Sequence, residues 1–283
     1  MKVLTPNPPL LNKLNRLKKR PEKLYYKGVD PNTFAQKPLI AIVGTRKPTP
    51  YGKAMTEKIV AELAQIEAVI VSGLAFGVDV IAHRAALGTG LKTIAVLPSG
   101  VENVYPASNR PVAADIEQQG CLLSEYTPDH KPRKAEFIER NSIIAALSDA
   151  VIIPEAAERS GSLSTARRAK MLGVPVFAFP GQTNSTLSSG TNELIKRGDA
   201  QLITCANDVI KALGLEHVEK KPLEGSTPLE TALLQTIQAG TGDITLIDQA
   251  VEADITDIQT ALTMLEIAGK IEQNEIGIWQ LTT

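Results

Sequence analysis

The 283-residue chain holds two cysteines and three histidines. Cys121 and Cys205 stand in apolar, strand-like contexts without CxxC spacing, which excludes a disulfide framework and a thiolate zinc site. No metal centre and no cofactor is therefore expected. Aromatic residues are scarce, at 4% of the chain. No apolar run approaches the length of a bilayer crossing and the start lacks an apolar signal region, so a soluble, cytoplasmic protein without membrane contact is expected. What is present is charge, unevenly placed behind a net value of −1. From Glu224 to the end there are ten acidic residues against one basic residue, Lys270, which leaves residues 1–223 at +8. The main body is suited to a polyanion and the tail would repel one.

Residues 1–36, rich in Pro, Asn and Lys, read as an N-terminal basic arm, either a solvated surface segment or a nucleic-acid contact. From Leu39 a regular alternation begins. The runs "LIAIV", "AVIV", "KTIAVL", "GCLLS", "DAVIIP", "VPVFAFP" and "AQLIT" are strand-length and β-branched, and amphipathic stretches at 51–66, 77–89, 109–119, 136–147 and 162–172 separate most of them. Such alternation predicts an α/β fold over 37–213, a doubly wound, mostly parallel sheet with helices on both faces. Residues 214–227 read as a charged linker. Three short helical patterns (228–239, 243–251, 255–268) and two strands joined by an Asn274-Glu275 turn predict a small C-terminal winged-helix domain over 228–283.

Ligands of open α/β sheets sit at the carboxyl ends of the strands. The loops there are "GTRKPTPYG", "SGLAFG", "PSGVENVYPASNR", "PEAAERSGSLSTA" and "PGQTNSTLSSGTN". Each offers glycine backbone, hydroxyls or helix N-termini that attract anions, and Arg46, Arg110 and Arg140 add fixed positive charge. Together they predict a phosphate pocket. It is not a dinucleotide site, because GxGxxG is missing after the first strand and the second ends in Ser72-Gly73 instead of a ribose-binding acid. "GTGLKT" at 88–93 resembles a Walker loop but lacks GK[ST] and precedes a strand. His83, one turn beyond Asp79, has no evident nucleophile or metal partner and reads as a packing or hydrogen-bonding residue, since i,i+4 pairs of this sort brace a loop. Glu155 and Glu125 end strands, where acid–base catalysts often sit, yet equally suit bracing of loop backbone or arginines.

With "AIVGTRKPTPYG", "SGLAFGVDVIAHRAAL", "YPASNR", "ERNSIIAALSDAVIIPEA", "SGSLSTA" and "VFAFPG…SSGTNELIKRGDAQLI" in order, the chain resembles the DNA-processing protein A family, also called Smf, from about Leu24 to Leu213. The resemblance implies an extended Rossmann-like domain that binds single-stranded DNA, dimerises and loads the RecA recombinase, protecting incoming DNA in natural transformation. It implies no enzymatic reaction. The tail is similar to the family's winged-helix appendage, and the helical domain that many members carry ahead of the sheet is expected to be reduced or missing. Carried over, the phosphate-binding set is Gly44 and Arg46, Ser72 and Gly73, Asn109 and Arg110, Arg140 and Asn141, and Ser160, Gly161 and Ser162 at a helix start. Dimerisation falls on about 192–209. One departure matters: where the family has basic residues around its Arg-Asn core, this chain has Glu139 and Ser142. Lys131, Arg133 and Lys134 just upstream are expected to restore the lost charge, since each phosphate contact contributes through counterion release.

Phe137, Tyr105, Tyr51 and Phe76 lie in or beside these loops and could stack bases. The third helix of the tail carries Asp257 and Glu266 with no Lys or Arg, so duplex reading through a major groove is not expected, and Ile258, Leu262 and Leu265 read as core. A second reading is a nucleotide-binding enzyme or sensor of the phosphoribohydrolase-like superfamily. Against its Gly-Gly-x-Gly-Thr-x-x-Glu loop, "SGSLSTARRA" places Arg167 or Arg168 where the Glu is needed.

Overall fold

A computed structural model describes residues 2–4, 9–215, 225–238, 241–251, 253–274 and 277–282. The chain divides into two compact units, Met1–Val218 and Glu219–Thr283. Most of the linker read at 214–227 and Glu275 of the expected turn lie outside the described residues.

The first unit is built on one nine-stranded sheet. In chain order its elements are β1 (Lys2–Leu4), α1 (Pro9–Asn12), β2 (Leu24–Gly28), β3 (Leu39–Ile42), α2 (Pro50–Glu62), β4 (Val69–Ser72), α3 (Val78–Gly88), β5 (Thr93–Val96), α4 (Arg110–Gln119), β6 (Cys121–Ser124), α5 (Glu136–Leu147), β7 (Ala150–Ile153), α6 (Ser162–Met171), β8 (Val176–Ala178), α7 (Ser189–Lys196), β9 (Gln201–Leu202) and α8 (Ala206–Leu213). The strand order is β1-β2-β6-β5-β4-β3-β7-β8-β9; β3 to β9 pair in parallel, and β1 and β2 are antiparallel to their neighbours. This is the doubly wound, mostly parallel sheet expected from the strand–helix alternation.

Alternate residues of each strand serve opposite faces, as the two-residue period of a strand requires. Leu39, Ala41, Val69, Val71, Ile94 and Val96 join Ile143, Ile144 and Leu147 of α5 in one core. Ile40, Ile42, Ile70 and Ile152 join Ile59, Val60 and Leu63 beneath α2, with Ala82 and Ala86 of α3, in the other. Strands covered on both faces must be apolar throughout, which is why they read as unbroken β-branched runs. Helix α2 starts where Pro50 fixes φ and the Thr49 hydroxyl accepts from the N–H of Gly52 at 3.2 Å.

The expected N-terminal arm is corrected. Leu10 and Leu14 are buried in the α5-side core, β2 pairs with β6, and Lys13 Nζ lies 2.6 Å from Asp149 Oδ2. A lysine-rich composition hid two apolar anchors and a strand whose Leu24 and Tyr26 face inward.

The second unit has α9 (Pro228–Gln238), α10 (Ile244–Ala250), α11 (Ile255–Ile267) and an antiparallel pair, β10 (Ile271–Gln273) and β11 (Trp279–Leu281). Ile258, Leu262 and Leu265 are buried in its core with Leu233, Leu234 and Trp279. Three helices followed by a hairpin is the element order read from the sequence. Among the described residues no helix is long and apolar enough to cross a membrane, and no group of three His, Cys, Asp or Glu could hold a metal ion.

Candidate nucleic-acid interface

Parallel strands deliver the turns after β3, β4, β5, β6 and β7 to one edge of the sheet. The turn after β3 is stitched in place on two sides. Thr45 N donates to Glu155 O at 2.9 Å and Val78 N donates to Thr45 O at 3.1 Å. A side chain at Gly44 would run into Val78 and the Glu155 carbonyl, so glycine is required for close packing there. The Glu155 carboxylate accepts from Thr49 N at 2.8 Å and from Thr49 Oγ1 at 2.7 Å, at the start of α2. It is buried among these partners and holds the loop.

The turn after β4 is clamped from below. Arg140, 4% exposed, donates through Nη1 to Gly73 O and, at 2.7 Å, to Val96 O. Asp79 Oδ2 accepts from Gly73 N at 3.1 Å. Burial pushes the Asp79 carboxyl up, while Arg140 and the N–H groups of Ala75 and Gly73 pull it down. Burial pushes Arg140 down to about 10, with Asp79 opposing, so it remains cationic at neutral pH. Asn109 Nδ2 donates to Leu74 O at 2.9 Å, holding a non-glycine residue at φ 54°. Ser72 Oγ donates to Ile42 O at 2.6 Å.

These bonds correct the roles of four residues. Ser72, Gly73, Asn109 and Arg140 were expected to offer donors to phosphate, yet all four are buried and their donors serve the protein. A sealed polar group must find an internal partner, so these residues support the loop. Asn141 is half-buried; its Oδ1 accepts from Arg140 Nε at 3.1 Å and its Nδ2 donates to Ser164 Oγ at 3.2 Å, tying α5 to the first turn of α6. Ser160 and Ser162 share a hydroxyl bond of 2.7 Å at that helix start; Ser162 is buried, whereas Gly161 is exposed.

Arg46, Arg110 and Lys134 are exposed. The Arg46 guanidinium carbon lies 5.7 Å from the centroid of the Phe137 ring, and Tyr105 meets that ring edge-on at 5.7 Å and 79°. Tyr105 is 47% exposed, and Phe76, in the turn after β4, is 48% exposed. A cation over one aromatic face beside a second exposed ring can hold a phosphate and stack a base. Tyr51 donates its hydroxyl to Pro180 O at 2.6 Å and serves loop packing.

A network not read from the sequence fixes the loop that carries Lys131, Arg133 and Lys134. Tyr126 stacks on His130 at 4.7 Å, and its hydroxyl donates to Glu139 Oε2 at 2.7 Å. Both Glu136 oxygens lie 2.9 Å from His130 Nε2, and one accepts from Arg133 N at 2.6 Å. Burial pushes the Glu136 carboxyl up, but the His130 and Arg133 bonds together hold it below its ordinary value. Glu139, which stands where a base was expected, is thus a tyrosine anchor. No periodicity links these positions, so the sequence carried no signal for the network.

His83 is fully buried and pairs through Nδ1 with Thr93 Oγ1 at 2.7 Å, not with Asp79. Burial, with Arg140 nearby, depresses it to about 3, so it is neutral at physiological pH. Arg167 Nε lies on Leu163 O at 3.4 Å on the exposed face of α6, with no carboxylate in the position that phosphoribohydrolase chemistry needs.

Residues 5–214 match the family model described as DNA recombination-mediator protein A. A Mycobacterium tuberculosis relative is 36% identical over 249 residues, covering 85% of this chain, and the chain spans 64% of that relative's length. A solved structure of DNA processing protein A from Streptococcus pneumoniae superposes with a TM-score of 0.70 at 39% identity, covering 74% of this chain and 73% of that one. A Helicobacter pylori structure, described as giving insight into a unique single-stranded DNA binding mode, superposes with a TM-score of 0.68 at 42% identity, covering 75% and 94%.

Proposed function

The chain belongs to the DNA recombination-mediator protein A family, and from that premise we propose that it binds single-stranded DNA along the carboxyl edge of its sheet. The observation that carries the reading is the outward Arg46 guanidinium over Phe137, with Tyr105 against the same ring. Arg46, Arg110 and Lys134 neutralise phosphates, and Gly161 at the start of α6 lets the backbone approach the strand. Exposed rings receive bases without reading sequence, because every base has a stacking face. Asp79, Asn109 and Arg140 hold the β4 turn rigid beneath them.

The protein acts as a cytoplasmic mediator without an enzymatic step of its own, handing the bound strand to RecA in the processing of incoming DNA. It does so as a homodimer. Supporting self-association over 192–209, β9 is an outer strand of the sheet and Leu202 on it is 46% exposed. The resemblance of the Helicobacter pylori structure supports the choice of ligand.

Fluorescence anisotropy with a labelled oligonucleotide tests this directly. Single strands are expected to bind with strong salt dependence, and nucleoside monophosphates at the same phosphate concentration are expected not to displace them. Absence of single-strand binding overturns the proposal. Equal competition by mononucleotides favours the nucleotide-site reading instead.

A further inference from the structure

The lead-in to β2 carries charge that the proposed interface does not use. Arg16 Nη1 donates to Ser148 O at 3.1 Å and Lys13 pairs with Asp149, both immediately before β7 and so at the amino edge of the sheet. Because β2 runs antiparallel to β6, with Tyr25 opposite Ser124, Leu24 lies at the carboxyl edge. Residues 17–23, Leu-Lys-Lys-Arg-Pro-Glu-Lys, therefore climb from one edge to the other, in neither helix nor strand. One register step beyond Tyr25–Ser124, the chain entering β2 faces Glu125 and Tyr126. Lys19 is close enough to Glu125 to pull its carboxyl back down against burial and Glu139, which push it up.

Lys18, Lys19 and Lys23 are exposed, and none of them forms an ion pair with a described residue. The lysine of the strand itself, Lys27, is neutralised by Glu102 at 3.2 Å and Glu117 at 3.4 Å, so available charge is confined to the lead-in. In the sheet order β2-β6-β5-β4-β3 this segment stands four strand spacings from the Arg46 turn, about 19 Å away at ~4.8 Å per strand. The turns after β5 and β6, with Arg110 and with Lys131, Arg133 and Lys134, lie between them. Positive charge thus recurs along the same edge from Arg46 to Lys23.

We propose that the 17–23 segment, through Lys19 and Lys23, is a second phosphate-binding site that takes the continuation of a single strand beyond the β6 loop. It rests on the reading that the carboxyl edge binds single-stranded DNA, and it adds a direction and a length to that track. The occupant is the sugar-phosphate chain, because the segment offers flexible ammonium groups with no aromatic ring among residues 17–23 to receive a base.

The test is a homothymidine ladder from about 4 to about 16 nucleotides, the range of site sizes among compact single-strand binders. Wild type, K19A/K23A and the charge-reversed K19E are compared, with circular dichroism as the check on folding. Wild type is expected to gain affinity with length. The double variant is expected to bind the shortest oligonucleotides like wild type, to lose on the order of tenfold on the longest, and to show a salt slope there smaller by about 1.4, at ~0.7 per lost contact. K19E is expected to weaken the longest oligonucleotides relative to wild type while leaving the shortest unchanged, and wild-type affinity at every length in K19E overturns a role for Lys19. Equal length gains in wild type and K19A/K23A overturn the second site and leave the Arg46 interface standing. Equal weakening at every length also overturns it, because the site would then not be an extension. If wild type binds no single strand, both readings fall.

Discussion

The turn after β4 and the rim around Phe137 use arginine for opposite purposes. Beneath the turn, Arg140 and Asn109 are sealed and bonded to backbone oxygens. On the rim, Arg46 and Lys134 are exposed, and Arg46 rests on a ring. An arginine read from sequence is a charge without a depth, and depth decides whether that charge builds the site or meets the ligand.

Arg140→Met is the harshest way to break this contrast. It leaves the buried acceptors Gly73 O and Val96 O without their donor, and each buried polar group left unsatisfied costs about 1–3 kcal/mol. Urea denaturation is expected to show that loss, and a midpoint like that of wild type would mean Arg140 is not a support.

His83 gives the next largest effect, as a pH dependence. Its folded value of about 3 lies below the ordinary 6.5, so the unfolded chain takes up a proton first on acidification. Its stabilising contribution is complete above about pH 6.5 and is lost as pH falls towards 3, at up to ~1.4 kcal/mol per pH unit. Denaturation midpoints measured from pH 7 down to pH 4 are expected to flatten in His83→Gln relative to wild type; parallel profiles would show that this imidazole does not stay neutral in the fold.

Asn109→Ala sharpens the comparison within the turn. Leu74 O loses its donor, and stability is expected to fall by ~1–3 kcal/mol, with single-strand affinity per folded molecule nearly retained. Arg46→Ala should do the reverse, moving the denaturation midpoint by less than ~0.5 kcal/mol while weakening binding and its salt dependence. The smallest effect belongs to the second unit: α11 has no Lys or Arg, so D257N/E266Q is expected to leave the protein's affinity for duplex DNA at the wild-type value. Electrophoretic mobility shifts with duplex DNA check that.

Much of the fold was legible because parallel strands covered on both faces announce themselves as β-branched runs, and six of the seven expected strands are buried along their whole length. The β2 strand was not legible: "LYYKG" follows a lysine-rich stretch, and its pairing with β6 depends on residues about a hundred positions away. The exposed position of Arg46 in the turn after β3 could be read because it follows a strand-length apolar run. Arg140 could not, since nothing in "FIERNSII" shows that the helix points it under Gly73 instead of outward. The Tyr126–His130–Glu136–Glu139 network was silent for the same reason, being made by one loop folding back on its following helix.

The most direct measurement is the slope of log affinity against log salt for a single-stranded oligonucleotide, taken for wild type and R46A/R110A/K134A. Three lost phosphate contacts should reduce the slope by about 2, at ~0.7 each, with the denaturation midpoint unchanged. Equal slopes in the two proteins would contradict the assignment of the outward cations to the strand.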